Sequence, residues 1–175
     1  KTGCPLGVSI NVTKNIPSGA GMGGGSSDAA TTLMGLNQLW NLGLTTQELI
    51  EIAPKLGADV PFFLLGTNAW VEGIGEKLTP INIPETQFEI IWPGVHQGTA
   101  EIFSHFYLTR DTERVTITFF ADALEKNKWS RWGHNDLEPI VRRVSPEVNK
   151  ILELLPDKDI FNKFTISYIS LNKCV

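Results

Sequence analysis

"IPSGAGMGGGSSDAA", residues 16–30, is the stretch on which the reading of this chain turns. It sets five glycines in the seven positions 19–25, followed by Ser26, Ser27, Asp28, Ala29 and Ala30. Glycine loses more conformational freedom on folding than any other residue, so such density is costly to order. A tight turn needs one or two glycines. Five, directly before a helix rich in small residues, point to backbone that must approach a ligand. Amides left bare by glycine can converge on an anion, and the helix behind them adds unpaired N–H groups and the positive end of its dipole. Ser26 and Ser27 supply hydroxyls for phosphate oxygens or a metal shell. Such a nest suits a di- or triphosphate.

Two familiar phosphate motifs fail here. Gly19, Gly21 and Gly24 satisfy GxGxxG. That pattern is weak alone, and the positions about twenty residues on fall in a predicted helix, where no acidic residue at a strand end can hold a ribose. The P-loop requires Gly-Lys-Ser/Thr, whereas Gly25 is followed by Ser26 with no lysine. The loop is a phosphate loop of another kind.

Outward from the loop, "GVSINVTKNI" alternates Val8, Ile10 and Val12 with Ser9, Asn11 and Thr13, which predicts a half-buried strand. After the loop, Ala29, Leu33, Leu36 and Trp40 recur at helical spacing, predicting a helix that starts near Ser26 and ends before Gly43. Thr45 and Glu48 form a capping-box pattern for a short second helix that stops before Gly57. "ADVPFFLLG" reads as a cap at Asp59, Pro61 in a first turn and closure at Gly66. "NAWVEGIGEKLTPI" and "QFEIIWPG" are predicted strands, with a turn at Gly73 and Gly75 in the first. Short helices follow at "GTAEIFSHF" (capped by Thr99), "TFFADALEKN", "NDLEPIVRRV" (an Asn135/Glu138 box) and "SPEVNKILELL" (Ser145 as cap, Pro146 at the first position). Strands and helices mix without strict βαβ alternation, so the expected class is α+β.

The bulk properties exclude several functions. The chain has 175 residues, enough for one sizeable core or for part of a two-layer enzyme. Its net charge is −4 with no basic run, so nucleic acid is not an expected partner. Cys4 and Cys174 form no ligand spacing, which argues against structural zinc; nothing requires disulfides, which fits a reducing compartment. No apolar run is long enough for a bilayer, so no membrane partner is expected. The start "KTGCPLG" lacks a Met and a leader pattern and reads as an internal position.

At this point the residues resemble a family. "NIPSGAGMGGGSSDAA" is similar to the ATP loop of the GHMP superfamily of small-molecule kinases, whose common form is Pro-x-x-x-Gly-Leu-Gly-Ser-Ser-x-Ala. The triple glycine 23–25, with "LNQLW", "LGADVPFF", "EGIGE", "PGV" and "NDLEP" in that order, resembles the branch whose acceptor is a cytidyl-diphosphate-linked methylerythritol of the non-mevalonate isoprenoid route. The resemblance runs from about residue 3 to about residue 155. It implies a GHMP-kinase-like two-layer fold, with an N-terminal half like ribosomal protein S5 domain 2, present incompletely. It implies a division into residues 1–80 (the rest of the ATP-binding domain), 81–160 (part of the C-terminal domain) and an atypical tail, 161–175.

The resemblance further implies ATP with Mg2+, a small-molecule acceptor phosphorylated on its 2-hydroxyl, and a cytoplasmic or plastid location; a homodimer is left open. Pro17, Gly19, Ala20, Gly21, Met22, Gly23, Gly24, Gly25, Ser26 and Ser27 would hold the triphosphate, and Asp59 would be the catalytic aspartate. An aspartate at that position also serves as a helix cap, and the two roles can coexist. Asp28 reads as a first-turn residue, and His96, Gln97, Trp129, Trp132 and His134 as turn or packing residues outside the site. Two family features have no match: an early lysine that pairs with the aspartate, which Lys14 is not, and a late glycine-rich loop, where "NKFTISYISLNKCV" stands instead. On that basis residues 1–175 are expected to self-associate and to lack measurable kinase activity. Other readings stay open: a homoserine- or mevalonate-type kinase, or an inactive nucleotide-binding piece.

Overall fold

The computed structural model describes residues 2–83, 85, 89–112, 116–125 and 135–154. The sequence around the glycine loop builds a helical layer. α1 (Gly24–Leu39) is followed by α2 (Thr46–Ile52), a 3-10 turn (Ala53–Lys55) and α3 (Val60–Leu65). Small side chains let these helices approach closely: Ala30 and Ala53 are buried with Leu49, Val60 and Leu64, and Ala29, Leu33 and Phe63 pack on this core. The Thr45/Glu48 capping box forms as expected, with the Glu48 amide donating to Thr45 Oγ1 and the Thr45 amide donating to Glu48 Oε2. Asn37 fixes the α1–α2 connection. Its amide group donates to the Leu44 carbonyl at 2.9 Å and accepts from the Leu44 N–H at 3.0 Å.

α3 ends at Gly66, in the left-handed conformation, and leads into an antiparallel hairpin of β1 (Ala69–Glu72) and β2 (Lys77–Pro80). Glu76 in its turn accepts from the Ile74 amide at 2.8 Å. Its own amide and that of Ile74 hold the Glu76 carboxyl below the usual carboxylate range. Trp70 of β1 stacks on Phe120 of α5 (Ile117–Glu125), joining the hairpin to a later part of the chain. A further cluster unites α4 (Thr99–Ser104), α6 (Glu138–Val144) and α7 (Pro146–Leu154) around Ile102, Leu108, Ile140 and Val141. Helices plus a small antiparallel sheet make the chain α+β, as its sequence suggested.

Several local expectations are corrected. Residues 7–16 form no strand. Among the described residues no partner strand runs beside them, and Val8, Ile10 and Val12 remain 46%, 52% and 53% exposed. Period-two alternation requires a sheet to bury one face, and without a neighbour it leaves an extended segment. Residues 89–94 of "QFEIIWPG" likewise lie outside any strand. The cap position of α4 is Gly98, not Thr99. No Asn135/Glu138 box forms: Asn135 Oδ1 accepts from the Leu137 amide at 3.1 Å, and Leu137 is the cap residue of α6. Ser145 does not cap α7 through its side chain, because its buried hydroxyl has no hydrogen-bond partner among the described residues. Trp129, Trp132, His134 and the tail 161–175 lie outside the described residues.

Candidate phosphate-binding site

α1 begins at Gly24, two residues earlier than its periodicity suggested, so the stretch 19–27 divides into a loop (19–23) and a first helical turn (24–27). Apolar periodicity could not mark this start, because residues 24–28 carry no large apolar side chain. The cap residue is Gly23, at φ 65° and ψ 11°, in the left-handed region that glycine enters without a Cβ penalty. No side chain caps the helix, and no acidic residue stands in its first turn. The first intrahelical bond is that of the Ser27 amide to the Gly23 carbonyl at 2.9 Å. The amides of Gly24, Gly25 and Ser26 therefore precede any intrahelical acceptor. This helix of 16 residues carries the positive end of its dipole at an amino end with no side-chain cap.

Gly19 and Gly21 also take positive φ, 69° and 72°, and Ala20 and Met22 complete the loop, each partly buried. Pro17 is partly buried just before it. Ser26, on the first turn, faces the segment before α3: a Cβ on Gly57 would stand 3.9 Å from Ser26 Oγ. Two residues beyond Gly57 is Asp59, half-buried at the amino end of α3. Its side chain makes no capping hydrogen bond, so the capping role expected of it is not realised. The hairpin turn closes over the same segment. Gly75, at φ 119°, is so close to Ala58 that a Cβ there would come within 2.8 Å of the Ala58 carbonyl carbon. "EGIGE" thus braces the residue preceding Asp59.

Lys14 Nζ is paired with Asp28 and stands 3.8 Å from where a Gly24 Cβ would be. Both partners are over a third exposed, and such a pair contributes about 0–1 kcal/mol. Asp28 lies in α1 beyond its first turn, not within that turn as the sequence suggested, because the helix starts at Gly24.

His96 and Gln97 are the residues the sequence failed to place. His96 Nδ1 lies 2.9 Å from the Ser18 carbonyl, and the Gln97 amide donates to the Gly19 carbonyl at 3.0 Å. The contact spans 78 positions, and no local pattern announces it. Only the glycine at position 19, which makes room for the ring, carries a trace of it in the sequence.

A glycine-rich loop thus lies at the amino end of α1, with a Gly-Ala-Asp segment beside the helix's first turn. Residues 1–67 match the family described as the GHMP kinases N terminal domain. It is 46% identical over 164 residues to the 4-diphosphocytidyl-2-C-methyl-D-erythritol kinase of Polaromonas naphthalenivorans, covering 94% of this chain and 55% of that one. It is 51% identical over 152 residues to the protein of the same name from Ralstonia pickettii, covering 87% and 52%. A solved structure, that of a 4-(cytidine 5'-diphospho)-2C-methyl-D-erythritol kinase, superposes with a TM-score of 0.57 at 33% identity, over 79% of this chain and 50% of that one. The chain spans about half the length of the curated relatives it matches. Among the described residues no helix is long and apolar enough to cross a membrane.

Proposed function

We propose that this chain is the phosphate-binding part of an ATP-dependent kinase acting on the 2-hydroxyl of 4-diphosphocytidyl-2-C-methyl-D-erythritol, in the non-mevalonate isoprenoid route of the cytoplasm or plastid. The observation that carries the reading is the uncapped amino end of α1 behind the left-handed Gly23. Pro17, the loop residues Gly19, Ala20, Gly21, Met22 and Gly23, and the first-turn residues Gly24, Gly25, Ser26 and Ser27 would enclose the triphosphate, chiefly through backbone N–H groups. Phosphoryl transfer asks the protein mainly to position the reactants and to neutralise charge. Asp59, half-buried at the amino end of α3 two residues beyond Gly57, would accept the acceptor's hydroxyl proton. The division into residues 1–80 and 81–160 belongs to the same proposal.

Among the described residues no three His, Cys, Asp or Glu side chains gather into a metal site. Magnesium in kinases needs no such cage, because it takes most of its ligands from phosphate and water. The hydroxyls of Ser26 and Ser27 fit that pattern and would hold it; Asp28, committed to Lys14, would not. When bound, the ion neutralises phosphate charge.

The relatives described above share one name, which favours this acceptor over homoserine or mevalonate. The test is a coupled ADP assay on a chain of the relatives' full length, with ATP, magnesium and each of the three alcohols. ADP release that depends on the cytidyl-diphosphate acceptor is expected. Turnover with homoserine or mevalonate instead would overturn the assignment.

A further inference from the structure

We propose that His96 is a positioning residue of the glycine loop, and that the turn at residues 93–98 sets the direction in which the loop's amides point. The inference rests on the phosphate-binding reading above. It starts from two hydrogen bonds side by side: His96 Nδ1 to the Ser18 carbonyl at 2.9 Å, and the Gln97 amide to the Gly19 carbonyl at 3.0 Å. A carbonyl only accepts, so Nδ1 carries the proton in this contact. In a planar trans peptide the C=O of one residue and the N–H of the next point in opposite directions. Tying the Ser18 carbonyl to His96 therefore aims the Gly19 amide away from the turn. Tying the Gly19 carbonyl to Gln97 does the same for the Ala20 amide. An anion needs those amides presented and the carbonyl lone pairs withdrawn, and the clasp does both at once.

The sterics agree. A Cβ on Gly19 would stand 2.6 Å from His96 Cγ, and closer still to two other ring atoms. The ring thus occupies the space a side chain would take, and Gly19 holds φ 69° beneath it. His96 is itself exposed and belongs to none of the three apolar clusters, so its removal leaves the core intact.

Asparagine can present an N–H close to where Nδ1 stands, whereas alanine cannot. The experiment compares the 175-residue chain with His96→Ala and His96→Asn by two readouts. The first is hydrogen exchange at the Gly19 and Ala20 amides without ligand. The second is calorimetric titration with ATP and magnesium. His96→Ala is expected to speed exchange at both amides and to weaken ATP by about three- to tenfold, the scale of one neutral hydrogen bond. His96→Asn is expected to restore both to within about twofold, because it restores that bond. Unchanged exchange in His96→Ala, or equal losses in the two variants, overturns the clasp. If the unaltered chain binds no ATP while exchange responds as expected, the phosphate reading fails and the clasp stands as a structural device. If ATP binds and His96→Ala leaves its affinity unchanged, the clasp has no positioning role.

Discussion

At the scale of single residues the site depends on two kinds of position. One is backbone that only glycine can supply. Gly23 closes the loop in the left-handed region and leaves the amides of α1's first turn without intrahelical acceptors. The other is an acidic side chain at the amino end of a short helix. Asp59 occupies the cap position of α3 yet makes no capping bond. If it serves as proton acceptor, Asp59→Asn in a full-length chain should leave ATP affinity nearly unchanged and lower kcat by about 10²-fold or more, the usual scale for loss of a general base. A coupled ADP assay beside an ATP titration separates the two effects. Unchanged turnover would leave Asp59 with no chemical role. The glycines and Asp59 were legible in the sequence because each belongs to a short, local pattern. His96 was not, because its contact with Ser18 joins positions far apart in the chain.

Among the elements, helices were read well wherever their signals are local. The Thr45/Glu48 box, Pro61 in the first turn of α3 and the left-handed Gly66 all appear as the sequence indicated. Signals with competing local solutions were read less well. Asn135 bonds the Leu137 amide instead of boxing Glu138, and Glu138 pairs with Arg142 at 2.7 Å. Strands depended on neighbours. The hairpin β1–β2 carries its partner within the same stretch and formed, whereas the alternating residues 7–16 have no partner strand among the described residues. The hairpin also has a task beyond its own pairing, since Gly75 lies against Ala58 beside Asp59. Gly75→Ala should force the two segments apart and destabilise the chain by about 1–3 kcal/mol, the scale of overpacking a tight contact. Urea unfolding would show this as a lower midpoint at constant slope. A variant as stable as the unaltered chain would mean that the turn does not brace the Asp59 segment.

Over the whole molecule, the candidate phosphate site sits where one apolar core, formed by α1, α2 and α3, meets the turn at 93–98 that precedes α4. Beside it runs an extended segment whose apolar side chains Leu6, Val8, Ile10 and Val12 face solvent. Exposed, unpaired strand-like backbone of this kind invites pairing with another chain. The 175-residue chain should self-associate, and Val8→Lys with Ile10→Lys should raise the dissociation constant by about a hundredfold or more, given about 1.5–3 kcal/mol for each apolar side chain that association would bury. Sedimentation velocity across a concentration series reads this directly; identical profiles for the two proteins would place the contact elsewhere. The central claim, that the loop and the amino end of α1 bind nucleotide phosphates, is tested most directly by calorimetric titration of the chain with ATP and magnesium, beside Gly23→Val and Lys14→Ala. A β-branched side chain resists the φ of 65° at Gly23, whereas Lys14 offers one exposed charge already paired with Asp28. Gly23→Val is expected to weaken binding far more than Lys14→Ala. Equal affinities in the two variants, or no binding by the unaltered chain, would contradict it.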